Sequence, residues 1–138
     1  MSLRIRFVLV IIFTVIVFAV DMIAKRLYLY WTYGWFDSMM HFIGGMIGGY
    51  LVLLLIATHR SGQVKENGEM LEEGGKPLVY KPRAYEAFLG AFAIGVVWEI
   101  AEFALHVSRY SPRFFQDTLS DLLFDIAGGV VAYFLWII

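Results

Sequence analysis

A small set of residues in this chain combines chemically capable side chains with spacing that brings them together: His41, Glu99, Glu102, Asp121 and Asp125. Glu99 and Glu102 are three positions apart and Asp121 and Asp125 four apart, so each pair shares one face of a helix. Asp37 precedes His41 by four residues, Asp117 precedes Asp121 by four, and His106 follows Glu102 by four, which extends each face. Carboxylates joined by one or two imidazoles suit Mg²⁺, Mn²⁺, Zn²⁺ or iron, and the same groups serve as general acids and bases. Cysteine is absent, so disulfides, thiolate metal sites and cysteine nucleophiles are excluded.

The elements that must position these residues follow from hydropathy. The chain has 138 residues, 60% of them hydrophobic and only 17% charged, with a mean hydropathy of +0.71. A soluble domain of this size cannot bury so much apolar surface in one core; lipid is the simplest solvent for it. Apolar runs at about 7–26, 36–58, 84–107 and 118–138 each approach the roughly 20 residues that cross a bilayer as a helix. No ten-residue alternation suggests a closed barrel. The fold class expected is an all-α membrane protein: a four-transmembrane-helix bundle forming a single integral membrane domain over residues 1–138. The first run has signal-peptide character after Arg4 and Arg6, but no small-residue cleavage site follows, so a retained signal anchor is expected.

An even number of spans places both termini on one side. That side carries Arg4, Arg6, Arg60, Lys65, Lys76, Lys81 and Arg83, against Lys25, Arg26, Arg109 and Arg113 on the other. The excess predicts cytoplasmic termini in a prokaryotic cell (inner) membrane. The polar loop 59–83 has mixed charge and reads as a solvated connector; Asn67-Gly68 within it is a hairpin signal. The net charge of −1 and the lack of a basic stripe exclude nucleic acid as a partner. The partners expected are membrane lipids.

With this topology the acids gather in the outer half of the membrane. Glu102 sits roughly 7 Å and Glu99 roughly 12 Å below the outer end of the third helix, at about 1.5 Å per residue. Small residues continue each acidic face inward: Gly45, Gly48 and Gly49 below His41, Gly95 and Ala91 below Glu99, Gly128, Gly129 and Ala132 below Asp125. Small residues let membrane helices approach closely. The economical packing turns the three faces together, tight inside and polar outside, and the glycine faces also suit a homo-oligomer. The pocket so formed holds Asp37, His41, Glu99, Glu102, Asp121 and Asp125, with Asp117 and His106 at its mouth. Such a group is not buried ionised without protonation, basic partners or a cation. Arg109, Arg113, Lys25 and Arg26 lie at the right end to pair. Plainer roles exist for some members. Asp21 and Lys25 read as a helix-end salt bridge, Asp37 and Asp117 as helix caps, and His106 as an interfacial residue. Tyr28, Tyr30, Trp31, Tyr33 and Trp35 read as an aromatic belt.

Asp37-x-x-x-His41-Phe42, Trp98-Glu99-x-x-Glu102-Phe103 and Asp117-Thr118-x-x-Asp121-x-x-x-Asp125-x-x-Gly128 resemble the pattern of the VanZ-like superfamily. They are closer still to its small inner-membrane relatives of the YjdF type. The resemblance covers roughly residues 36–135 and implies a multispan prokaryotic membrane protein with a task at the outer envelope face. The VanZ-like pattern often reads Glu-x-x-Gln and Asp-x-x-x-Asn where this chain has Glu99-x-x-Glu102 and Asp121-x-x-x-Asp125. Both departures make the site more acidic and favour a cation over antibiotic resistance.

The function expected first is chemistry on a lipid or lipid-linked phosphate at the outer leaflet. Glu99, Glu102, Asp121, Asp125 and His41 would be the divalent metal ligands, with His41 and Asp121 catalytic. Asp37, His106, Asp117, Arg109 and Arg113 would bind substrate. A proton or cation carrier and a non-catalytic scaffold are the alternatives.

Overall fold

The computed structural model describes residues 2–67, 81–104 and 114–138. Its elements are α1 (Leu3–Arg26), α2 (Leu29–Thr32), α3 (Phe36–Asn67), α4 (Ala84–Ala104) and α5 (Phe114–Ile137). Four of them carry segments long and apolar enough to cross a membrane: Leu3–Arg26, Phe36–Arg60, Ala84–Ala104 and Phe115–Ile137. The expected all-α, four-span architecture is present. The boundaries differ at several ends. α3 continues to Asn67 instead of stopping near 58, so the stretch leading into the Asn67-Gly68 hairpin signal is helical. The rest of that signal lies outside the described residues, as do His106, Arg109 and Arg113. α5 begins at Phe114, a turn before the expected start, which leaves Asp117 in its first turn.

Local chemistry accounts for the helix ends. The Ser2 hydroxyl accepts from the Ile5 N–H at 3.4 Å and caps α1. Lys25 and Arg26 occupy the last turn of α1, where cations complement the helix dipole. Glu86 reaches back to accept the Arg83 N–H at 2.8 Å, the reciprocal half of a capping box at the start of α4. Tyr28, at φ 59°, takes the left-handed conformation that reverses the chain between α1 and α2.

α3, α4 and α5 pack against one another, while α1 touches chiefly α3 and is only 11% buried along its span. The reason is the distribution of small residues. A Cβ on Gly45 would collide with the backbone of Asp125, and one on Gly128 would meet the Phe42 carbonyl and, at 2.6 Å, the Met46 nitrogen. One on Gly49 would lie 3.0 Å from the Gly129 Cα and from the Ala87 carbonyl oxygen. The α3 and α5 backbones therefore meet where neither has a side chain. α1 has no such stripe and leaves Val15, Ile16 and Phe18 exposed to lipid. Gly45, Gly49, Gly128 and Gly129 thus make close helix contacts within one chain. Leu53, Leu54, Ala57, Ala87 and Trp136 complete an apolar core at the opposite end from the acids.

Candidate metal centre

His41 is the centre of the acidic site. It lies on α3, 5% exposed, and its ring is bounded by acids from three helices. Nδ1 is 3.1 Å from Asp125 Oδ2 on α5. Nε2 faces the other way and is ringed by Asp37 Oδ1 at 3.9 Å, Glu99 Oε1 at 3.8 Å and Asp121 Oδ2 at 3.9 Å. These are ion-pair distances, too long for hydrogen bonds. His41 Nε2 and Glu99 Oε1 are both fully buried and have no hydrogen-bond partner among the described residues. Buried polar atoms are rarely left so, and here two of them point at the same small space.

The helices place these groups as the spacing required. Asp121 and Asp125 lie one turn apart on α5, both buried, while Asp117 one turn earlier is exposed. Gly44 and Gly95 flank the Asp125 carboxylate and Gly45 lies against the Asp125 backbone; a Cβ on Gly95 would come within 2.9 Å of Asp125 Cγ. Glycine at these positions is what lets a carboxylate sit between α3, α4 and α5. Asp37 is the one partly open member, its side chain 39% exposed, and so marks the mouth of the site.

Two expected members have different surroundings. Glu102 is half-buried, and its Oε1 accepts from Trp98 Nε1 at 3.0 Å, one turn back on the same helix; it stands at the rim and not against His41. Asp125 holds the far nitrogen of His41 and not the space in front of Nε2. One useful residue was passed over. Thr118 donates its hydroxyl to Glu99 Oε2 at 2.7 Å, which fixes the Glu99 carboxylate with Oε1 toward His41. Its spacing of three before Asp121 and seven before Asp125 placed it on the same face.

Asp21 belongs to a separate cluster. It pairs with Lys25 Nζ at 2.9 Å and accepts the Tyr30 hydroxyl at 2.6 Å, so the plain helix-end salt bridge is present. Tyr30 thereby leaves the aromatic belt, whose exposed members are Tyr28, Trp31, Tyr33 and Trp35. Burial, and the hydrogen bond to the Asp21 carboxylate, hold the Tyr30 phenol well above its ordinary pKa.

Asp37, His41 and Asp121 each offer a ligand atom, all within 4.8 Å of one another. Glu99 Oε1 adds another donor against the same imidazole nitrogen. The donor set, the two orphaned atoms and the carboxylate behind Nδ1 fit a divalent cation. Metal-binding histidines commonly donate their second N–H to a carboxylate, which sets the tautomer and leaves the other nitrogen free to bind. The arrangement thus offers one imidazole and two carboxylates to a cation, with Glu99 beside the same imidazole nitrogen and one ligand reaching the surface.

Comparison with the curated proteins and with the solved structures gives no match in either case. A family model described as "Predicted membrane protein (DUF2238)" matches residues 1–138. The chain is a member of that family of membrane proteins, and its buried cluster of one histidine and several acids is the feature a function must explain.

Proposed function

We propose that this is a multipass membrane protein of VanZ-like, YjdF-type character that binds a divalent metal in an outward-facing intramembrane site and acts there on a lipid or lipid-linked phosphate. In this reading both termini are cytoplasmic and the membrane is the prokaryotic cell membrane, as the loop charges suggest. The observation that carries it is the pair of orphaned buried atoms, His41 Nε2 and Glu99 Oε1, facing one another at 3.8 Å. Histidine Nε2, Asp37, Glu99 and Asp121 would hold the cation. A cation there would supply positive charge to polarise a phosphoryl oxygen. Asp37, at the mouth, is the ligand a substrate would meet first.

Packing favours a closed-bottomed site over a carrier. Beneath Asp125 the α3 and α5 backbones touch at Gly45 and Gly128, and α4 joins them at Gly49 and Ala87. Ala91 and Ala132 are fully buried in the same region. A conduit needs polar groups through this region, and apolar contact fills it instead.

Elemental analysis of the purified protein in detergent, followed by a screen of lipid phosphates with and without chelator, tests the reading. Bound metal at one ion per chain and chelator-sensitive product release are expected. Metal content unchanged in Asp121→Asn, or product formation indifferent to chelator, overturns it.

A further inference from the structure

A second region, at the far end of the bundle from His41, combines an apolar cleft with a cation that has no acidic partner among the described residues. α1 stands away from α3 and α5 in its inner half and leaves a cleft of about 270 Å³ walled by Leu9, Val10 and Phe13 on one side and Met46, Ile47 and Leu135 on the other. Arg6 closes one end of it. The Arg6 guanidinium donates through Nη1 to the Tyr50 hydroxyl and to the Trp136 carbonyl, both at 3.1 Å, and lies 4.5 Å from the centre of the Trp136 ring. All of these partners are neutral. Among the described residues no carboxylate lies within ion-pair distance of Arg6 or of Arg4.

A guanidinium has five donor hydrogens. Both bonds run from Nη1, so among the described residues Nη2 and Nε keep theirs. The ring and the two acceptors hold the group in place, which makes those donors preorganised. The N-terminus of α1 lies within a turn of Arg6 and adds its positive dipole end. An apolar cleft in the lipid-facing surface is filled by hydrocarbon, and a fixed cation at its end selects what is attached to that hydrocarbon.

We propose that the cleft between α1 and the α3–α5 pair is a binding site for one anionic phospholipid, with an acyl chain along Val10 and Met46 and the phosphate on Arg6. Charge complementarity is the reason for choosing this occupant over a zwitterionic lipid, whose own cation competes for the phosphate. The proposal is independent of the metal site: no residue is shared.

Native mass spectrometry of the full chain in detergent tests it, with dioleoylphosphatidylglycerol, dioleoylphosphatidylcholine and glycerol 3-phosphate as probes. One phosphatidylglycerol should stay bound per chain, about tenfold more tightly than phosphatidylcholine, the scale of one charge-assisted hydrogen bond. Glycerol 3-phosphate, which has no chain to fill the cleft, should not be retained. Arg6→Gln should remove the preference between the two lipids. Val10→Trp, which fills the cleft from the loosely packed helix and leaves Arg6 alone, should remove retention of both. Equal retention of the two lipids by the unaltered protein overturns the proposal whether or not Arg6→Gln folds. So does retention of glycerol phosphate on a par with phosphatidylglycerol, or wild-type retention by Val10→Trp.

Discussion

His41 Nδ1 lies 3.1 Å from Asp125 Oδ2, and the two residues come from helices α3 and α5 that meet without intervening side chains at Gly45 and Gly128. With the ring N–H on Nδ1 toward Asp125, the lone pair of Nε2 faces Asp37, Glu99 and Asp121. Asp125 therefore acts on the site through the imidazole, as a positioning residue. Asp125→Asn should lower divalent-metal affinity by about 10–100-fold while leaving helicity unchanged. Calorimetric titration with Mn²⁺ or Zn²⁺ beside circular dichroism checks it, and wild-type affinity in the variant would remove this role.

Metal should also stabilise the folded protein. At a free concentration about 100 times Kd, a ligand bound only to the native state contributes about 2.7 kcal/mol. The rise in Tm on adding metal should vanish in Asp121→Asn and in Glu99→Gln, because each removes a donor facing His41 Nε2. The metal-free variants should be at least as stable as the metal-free parent, since each removes one of several acids held at 3.8–3.9 Å from a single imidazole nitrogen. Thermal unfolding in detergent with and without metal measures both effects. Proton competition gives the same gain a pH dependence: ligands must be deprotonated to bind, so it should shrink as pH falls.

Thr118→Val should loosen Glu99 without altering the donor set. Loss of the 2.7 Å hydrogen bond leaves the Glu99 carboxylate free to turn, and metal affinity should fall by roughly fivefold, the worth of one ordinary hydrogen bond at about 1 kcal/mol. Thr118→Ser should keep the parent affinity. Equal loss in both variants would show that the hydroxyl is not what matters.

The glycine contacts should be unforgiving. Gly45→Ala or Gly128→Ala forces the α3 and α5 backbones apart and should cost about 1–3 kcal/mol. Gly34→Ala, with nothing within 4 Å of its added carbon, should cost far less. Unfolding in graded denaturing detergent compares the three. The Gly45 and Gly128 variants should lose metal binding as well, because the same crossing sets His41 against Asp125.

The C-terminal end of α1 should behave as structure alone. Asp21→Ala removes the partner of both Lys25 and the half-buried Tyr30 hydroxyl and should destabilise the protein by about 1–3 kcal/mol. Metal content should be unchanged. Loss of metal in this variant would join Asp21 to the site.

Much of the site is legible in the sequence. An imidazole and carboxylates inside apolar helices have few bland explanations, and helical spacing alone placed His41, Glu99, Asp121 and Asp125 on inward faces. Spacing was silent on direction along the same face. Glu102 shares a face with Glu99, yet one turn of α4 takes it to Trp98 at the rim. Tyr30 sat in a run of aromatics that compositionally reads as an interfacial belt, and only its approach to Asp21 separates it from its neighbours. The α3 boundary at Asn67 was missed because polar sequence reads as loop, whereas a helix leaving the membrane continues wherever its backbone bonds are satisfied.

Hydropathy over 138 residues was enough to determine four spans, because a bilayer admits so few ways to satisfy a backbone. The stripes of small residues were enough to say which helices pack closely. Which nitrogen of His41 meets Asp125 and which faces the remaining acids was a matter for the assembled helices. So was the displacement of α1 that opens the Arg6 cleft. Both depend on distances across helices, set where glycine lets backbones touch, and no spacing along a single helix encodes them.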